Sequence, residues 1–136
     1  MNYQIHKAGG IIIKDRKLLV ERSKGKSIFI APGESIEKGE TAKQALIREL
    51  REEFSIRVIE KDLVGFDTFY AKAAGDEERI VRMDVFIVSR WSGEPKPSSE
   101  VEEVLWITSK IPNGIKVGSI FEHDVIPKLK QNGLIG

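Results

Sequence analysis

Apolar positions fall into short β-branched runs early and late in the chain, with one helical stripe between them. Ala8 to Ile13 is an isoleucine-rich run, and Leu18 to Val20 is a second. The polar quartet Lys14-Asp15-Arg16-Lys17 separates them, which predicts a hairpin or two adjacent strands. Ser23 to Ser27 reads as a basic loop, and Ile28-Phe29-Ile30 as a third short strand. Pro32 and Gly33 then break the pattern.

The period changes at Thr41, which has the character of a helix N-cap, with Gln44 three residues on to complete a capping box. At about 100° per residue, a helix from there to about Phe54 gathers Leu46, Ile47, Leu50 and Phe54 into one buried stripe. Glu49, Glu52 and Glu53 share a different sector, with Ala42 and Ala45 beside them to keep that face low. Ser55-Ile56 ends the helix.

Beyond it the period returns to two. Arg57 to Glu60, Leu63 to Ala71 and Arg79 to Trp91 read as strands, the last two joined through Gly75-Asp76-Glu77-Glu78. Residues 92–99 form a loop by composition and lead into the acidic cluster Glu100, Glu102, Glu103. Val104 to Thr108 is a final strand. Phe121 to Gln131 is helical with Val125, Ile126 and Leu129 as its apolar side and Gly133 as its stop. Pro127 requires that this helix start at Asp124 or kink. The order predicts an α/β fold, a mixed sheet with helices on both faces.

Composition narrows the function classes. A chain of 136 residues suits one domain, residues 1–136, with a real core. Its 22 basic and 21 acidic residues leave a net charge of +1, which supports neither a stable nucleic-acid complex nor a membrane-surface role. With no cysteine there is no thiolate zinc site, cysteine nucleophile or disulfide framework. No run approaches the ~20 apolar residues of a membrane span, and the N-terminal apolar run is too short for a signal peptide. These features lead us to expect a cytoplasmic protein, and they leave a homodimer open.

The acidic sector carries the candidate chemistry. Three glutamates on one helical face repel one another by a few tenths of a kcal/mol per like-charged (i, i+4) pair. Most such faces are solvated and laced by salt bridges, and Arg48 is placed to pair with Glu52. The same acids, with a loop carbonyl, also suit a hard divalent cation such as Mg2+ or Mn2+.

Residues 31–56, APGESIEKGETAKQALIRELREEFSI, resemble the Nudix box, G-x5-E-x7-R-E-U-x-E-E-x-G-U with U aliphatic. Glu40, Arg48, Glu49, Leu50, Glu52, Glu53 and Ile56 match it in type and spacing. Glu34 stands where the first box glycine is expected, just after Gly33, and Ser55 replaces the later glycine. Similarity to the MutT-like Nudix hydrolases implies a Nudix-type α/β/α sandwich. It also implies divalent-metal-dependent hydrolysis of the phosphoanhydride in a nucleoside diphosphate linked to another moiety, with a nucleoside triphosphate or related nucleotide as the expected substrate. A nucleotide-binding module without catalysis is the alternative, raised by Glu34.

Carried over residue by residue, the resemblance makes Glu49, Glu52 and Glu53 metal ligands, together with the main-chain carbonyl of Gly33. Arg48 becomes the residue that orients them. The general base is a box glutamate or a later acid, for which Glu100 is the candidate. Arg22, after the strand LLVER, stands where relatives place an arginine on substrate phosphates. Among the aromatics Trp91, Trp106, Phe66 and Tyr70, a base-stacking role falls best to Tyr70 and Phe66. No proline lies between Pro32 and Pro95, which counts against ADP-ribose as substrate. His6 and His123 receive no chemistry.

Overall fold

The computed structural model describes residues 2–33, 35–73 and 75–136. The long first run does not stay with its sequence neighbour. Strand β1 (Ile5–Ile11) pairs in parallel with β6 (Asp76–Val88), which pairs antiparallel with β5 (Leu63–Ala73). After a one-residue break the chain forms the predicted hairpin between β2 (Ile13–Lys14) and β3 (Lys17–Ser23). Asp15 and Arg16 both take positive φ in its turn, which matches the twist of a two-residue hairpin. Strand β3 then pairs antiparallel with β7 (Val101–Ile107), and β4 (Ile28–Phe29) pairs in parallel with β8 (Lys116–Val117). The sheet of β1, β6 and β5 is the expected mixed one, and two smaller sheets, β2-β3-β7 and β4-β8, stand beside it among the described residues.

Alternation along the strands divides the interior into two cores. Leu18 and Val20 of β3 join Ile11, Phe29, Val85, Phe121, Val125 and Leu129 on one side. Leu19, between them, joins Ala8, Ile12, Leu63 and Val88 on the other, under helix α1 (Ala42–Phe54). Helix α1 buries Ala45, Leu46, Leu50 and Phe54, while Ile47 packs at the edge, so the predicted stripe is present. At Gly10 a side chain would press within 3.1 Å of Leu46 Cδ1, so the missing Cβ lets α1 lie close on β1. Helix α2 (Ile126–Gln131) covers the opposite core.

Both ends of α1 follow from local chemistry. Thr41 Oγ1 accepts from Gln44 N at 3.1 Å, and Gln44 Oε1 accepts from Thr41 N at 2.9 Å, which completes the capping box. Ser55 closes the helix in the left-handed region, at φ 57°.

Several predicted boundaries move. Arg57 to Glu60 is not a strand: Arg57 makes a single bridge to Ser92, and Glu60–Asp62 is a 3-10 turn. Strand β6 begins at Asp76, so the hairpin turn is tighter than predicted. Residues 121–131 are not one α-helix. Phe121–Val125 is a π-turn, and α2 follows with Pro127 in its tolerant first turn. No helix among the described residues is long and apolar enough to cross a membrane.

Candidate active site

The loop into α1 is pinned to β1. Gly10 N donates to Pro32 O at 2.8 Å and Ile36 N to His6 O at 3.3 Å, while Lys7 and Ser35 form a bridge. Gly33 sits at φ 117°, and a Cβ there would collide with the carbonyl oxygen of Ala8. Position 33 therefore demands glycine on both conformational and steric grounds. Glu34, the departure from the box pattern, lies outside the described residues.

Arg48 organises the acids. Its Nε donates to Glu40 Oε2 at 2.7 Å and its Nη2 to Glu40 Oε1 at 3.0 Å, a bidentate pair. Nη1 reaches Glu49 Oε1 at 2.6 Å, Glu52 Oε2 at 3.4 Å and Glu37 Oε1 at 3.8 Å. Glu40 also accepts from Glu37 N at 3.0 Å. The bonds from Arg48 and then from Glu37 N hold the Glu40 carboxyl below its ordinary range. In return, Glu40 first and Glu49 after it raise the guanidinium pKa against the opposing effect of burial.

The acidic face is solvated only in part: the Glu52 side chain is 59% exposed. Ala45, expected to keep it low and open, is fully buried, and the side chain of Glu49 is only 13% exposed. Glu53 points inward toward β3, where Glu21 is completely buried. Burial, then the hydrogen bond and charge of Glu21, then the charge of Glu49, push the Glu53 carboxyl up to about 10. Glu53 Oε1 is buried without a hydrogen-bond partner. Glu53 is thus a buried carboxyl crowded by two others, and hard oxygen donors of this kind fit a divalent cation. Among the described residues, no three acidic or histidine side chains already stand grouped to hold an ion. The contacts show why: Arg48 draws Glu49 and Glu52 onto itself as counter-ion.

The loop that carries the later acid docks on the end of α1. Lys96 N donates to Phe54 O at 2.8 Å and Ser98 N to Glu53 O at 2.7 Å, so residues 92–100 fold over the C-terminal end of α1. Glu100, two residues beyond Ser98, is exposed there.

A cavity of about 840 Å³ opens beside Gly33, between the sheet of β1, β6 and β5 and the segment from Ile115 to His123. Neither Arg22 nor Tyr70 lines it. Arg22 donates to Lys26 O at 3.0 Å and Glu103 Oε1 at 3.3 Å, and lies over the Phe29 ring. Tyr70 pairs with Arg82, one residue out of phase with Ala71 and Val81 that face the cavity, so strand alternation turns it to the α1 side. Phe66, Trp91 and Trp106 pack against the cores. Phe121 is the aromatic that does line the cavity, and neither it nor Glu21 was singled out by the sequence. For Glu21 the available signal was its phase with Leu19, which puts an acid on a buried strand face.

Away from this centre, His6 Nε2 and Asp84 Oδ2 lie 2.6 Å apart, and Thr68 Oγ1 and Arg82 Nε donate to Asp84 Oδ1. Burial works to raise the Asp84 pKa, but the bonds from His6, Thr68 and Arg82 outweigh it and hold the group low. These contacts join β1, β6 and β5, a structural role.

Fold and site together put a cluster of carboxylates on the helix that covers one face of an α/β fold. The chain belongs to the Nudix family: the NUDIX domain model matches residues 5–116. It is 30% identical over 109 residues to an uncharacterized Nudix hydrolase, YvcI, of Bacillus subtilis, covering 78% of this chain and 67% of that protein. It is 35% identical over 97 residues to an ADP-ribose pyrophosphatase of Methanocaldococcus jannaschii, covering 69% of this chain but 56% of the relative. The chain thus spans about two thirds of one curated relative and little more than half of the other. Among solved structures, a MutT NUDIX hydrolase from Burkholderia pseudomallei shares the fold, with a TM-score of 0.69 at 19% identity over 82% of this chain and 89% of that one. Nudix hydrolases split the pyrophosphate link of nucleoside diphosphate derivatives and generally use divalent metals.

Proposed function

We propose that this protein is a Mg2+- or Mn2+-dependent pyrophosphohydrolase acting on a nucleoside diphosphate linked to another moiety, a nucleoside triphosphate or a related nucleotide. The observation that carries this reading is the burial of Glu53 against Glu21 and Glu49, a carboxylate cluster that calls for a cation. Glu49, Glu52, Glu53 and the Gly33 carbonyl would hold the metal, and Arg48 would orient the acids. When bound, a divalent cation neutralises phosphate oxygens and acidifies a coordinated water. The oxygen of a water bonds to one phosphorus of the anhydride as the bridging P–O bond breaks, and the proton released passes to a carboxylate. Glu100, in the segment that hydrogen-bonds to the end of α1 through its backbone, is the later acid we assign to receive it. The products are two phosphate esters, or a nucleoside monophosphate and pyrophosphate when the substrate is a triphosphate.

Similarity to an ADP-ribose pyrophosphatase returns ADP-ribose to the candidates, although the sequence between Pro32 and Pro95 lacks a proline. The test is a panel of nucleoside triphosphates, dinucleoside polyphosphates, ADP-ribose and nucleotide sugars, assayed with Mg2+ for phosphate, pyrophosphate and nucleoside monophosphate. Turnover of one class, abolished by chelation and by Glu53→Gln, is expected. Nucleotide binding without turnover of any class would replace the enzyme with a binding module.

A further inference from the structure

Arg22, next to the last residue of β3, has its guanidinium already engaged. Nη1 donates to Lys26 O at 3.0 Å and Nη2 to Glu103 Oε1 at 3.3 Å, and the group lies over the Phe29 ring, 5.9 Å from its centroid. Its two nitrogens thus reach two separate segments, the loop that follows β3 and the first half of β7. Only a planar fork serves both at once. The Arg22 side chain is 25% exposed and that of Glu103 46%. An ion pair this exposed adds little to stability, and what it fixes is position.

The segment so fixed is the turn that leads into β7. Lys24 N, in the loop that Arg22 braces, donates to Glu100 O at 3.1 Å. From the other side Ser98 N donates to Glu53 O at 2.7 Å. Within the turn, Val101 N donates to Ser98 O at 3.1 Å and Glu100 N to Ser98 Oγ at 3.3 Å. The backbone of Glu100 is therefore held between the end of α1 and residues 24–27. The strand pairing also shifts here: Arg22 stands opposite Glu103 but Ser23 opposite Val101, which leaves Glu102 as an extra residue of β7. A bulge of this kind bends its strand and re-aims the side chains beside it. Arg22 does not line the cavity, although Ser23 and Lys26 next to it do. To meet a phosphate there, it would have to leave both of its acceptors.

We propose that Arg22 is a positioning residue: by tying residues 24–27 to Glu103 it holds the turn that carries Glu100, and it does not contact substrate phosphate. Its effect on the reaction then runs through Glu100 and falls on the chemical step, while substrate affinity is left to other groups. This deepens the pyrophosphohydrolase reading and rests on its assignment of Glu100.

The experiment combines steady-state kinetics, on the panel nucleotide that the unmodified protein turns over fastest, with hydrogen exchange. Arg22→Met should lower kcat about tenfold and leave KM within about twofold, the pattern of an interaction that matters only in the transition state. Glu103→Ala should give the same split, whereas an arginine that served a phosphate would be released by it. Arg22→Lys keeps a cation for Glu103 but cannot also reach Lys26 O, so it should recover part of kcat; it also guards against a methionine variant that fails to fold. On a Glu100→Gln background Arg22→Met should cost almost nothing further, because both changes act on one group. Exchange of the Val101 amide should quicken several-fold in Arg22→Met and in Glu103→Ala, a readout that needs no turnover. A raised KM at unchanged kcat, a loss that adds in full to that of Glu100→Gln, or unaltered exchange would overturn the proposal. No turnover by the unmodified protein would defeat the hydrolase reading instead, and the exchange rates would still decide whether Arg22 holds the turn.

Discussion

The carboxyl of Glu53 on α1 lies against that of Glu21 on β3 inside the protein, and Glu21 is completely buried. Burial, and then the Glu21 carboxyl beside it, push the Glu53 carboxyl up to about 10 from 4.5. Between those values the folded chain binds more protons than the unfolded one, so stability falls as pH rises through the window. Thermal melts in chelator should show Tm declining from pH 5 to pH 9. Glu53→Gln should flatten that decline, and an unchanged slope would show that Glu53 does not carry it.

Glu21 should also matter to the metal. An acid that contacts a ligand fixes its orientation, and loss of such a partner typically costs about 10–100-fold in metal affinity. Glu21→Gln removes a charge from the buried cluster, so the chelated protein should become more stable while Mn2+ affinity falls by that range. Parallel melts and metal titrations separate the two effects. A variant that loses stability in chelator and keeps its affinity would contradict this role.

Arg48 binds Glu40 through two nitrogens while reaching Glu49 and Glu52, a geometry that a lysine cannot reproduce. Arg48→Lys should therefore lower kcat/KM about 10–100-fold, in line with the loss of a residue that orients metal ligands. The affinity for a nucleotide measured in chelator should hardly change. A loss confined to nucleotide affinity would make Arg48 a substrate contact.

Two backbone positions should respond in opposite directions. Ser55 takes φ 57° at the end of α1, where glycine avoids a cost of about 1 kcal/mol, so Ser55→Gly should raise stability by up to that amount. Gly33→Ala places a Cβ against the Ala8 carbonyl oxygen at φ 117° and should cost more than about 1 kcal/mol. Denaturant melts give both values.

Much of this was legible in the sequence because it is encoded locally. The capping box of Thr41 and Gln44, the stripe of Leu46, Leu50 and Phe54, and the spacing of Glu40, Arg48, Glu49 and Glu53 are all set within one helix and its loop. What escaped depends on partners distant in the chain. Strand β1 leaves its neighbour for β6, more than 70 residues on, and no local signal specifies that pairing. The two-residue strand β8 is too short to show a period. Tyr70 and Arg22 are plausible by residue type, but strand phase turns Tyr70 from the cavity, and Glu103 with Phe29 engages Arg22. Glu21 and Phe121 acquire meaning only when β3 meets α1 and the π-turn meets β1.

The central claim is that the inward face of α1 is a divalent-cation site. Electron paramagnetic resonance of free Mn2+ during titration of the protein tests it most directly, because it needs no substrate. The account predicts saturable binding that tightens as pH rises toward 9, as the carboxyl proton is displaced, and that Glu53→Gln weakens by at least about tenfold. Binding of equal strength in the unmodified protein and in Glu53→Gln, or a full complement of free Mn2+ throughout, would contradict it.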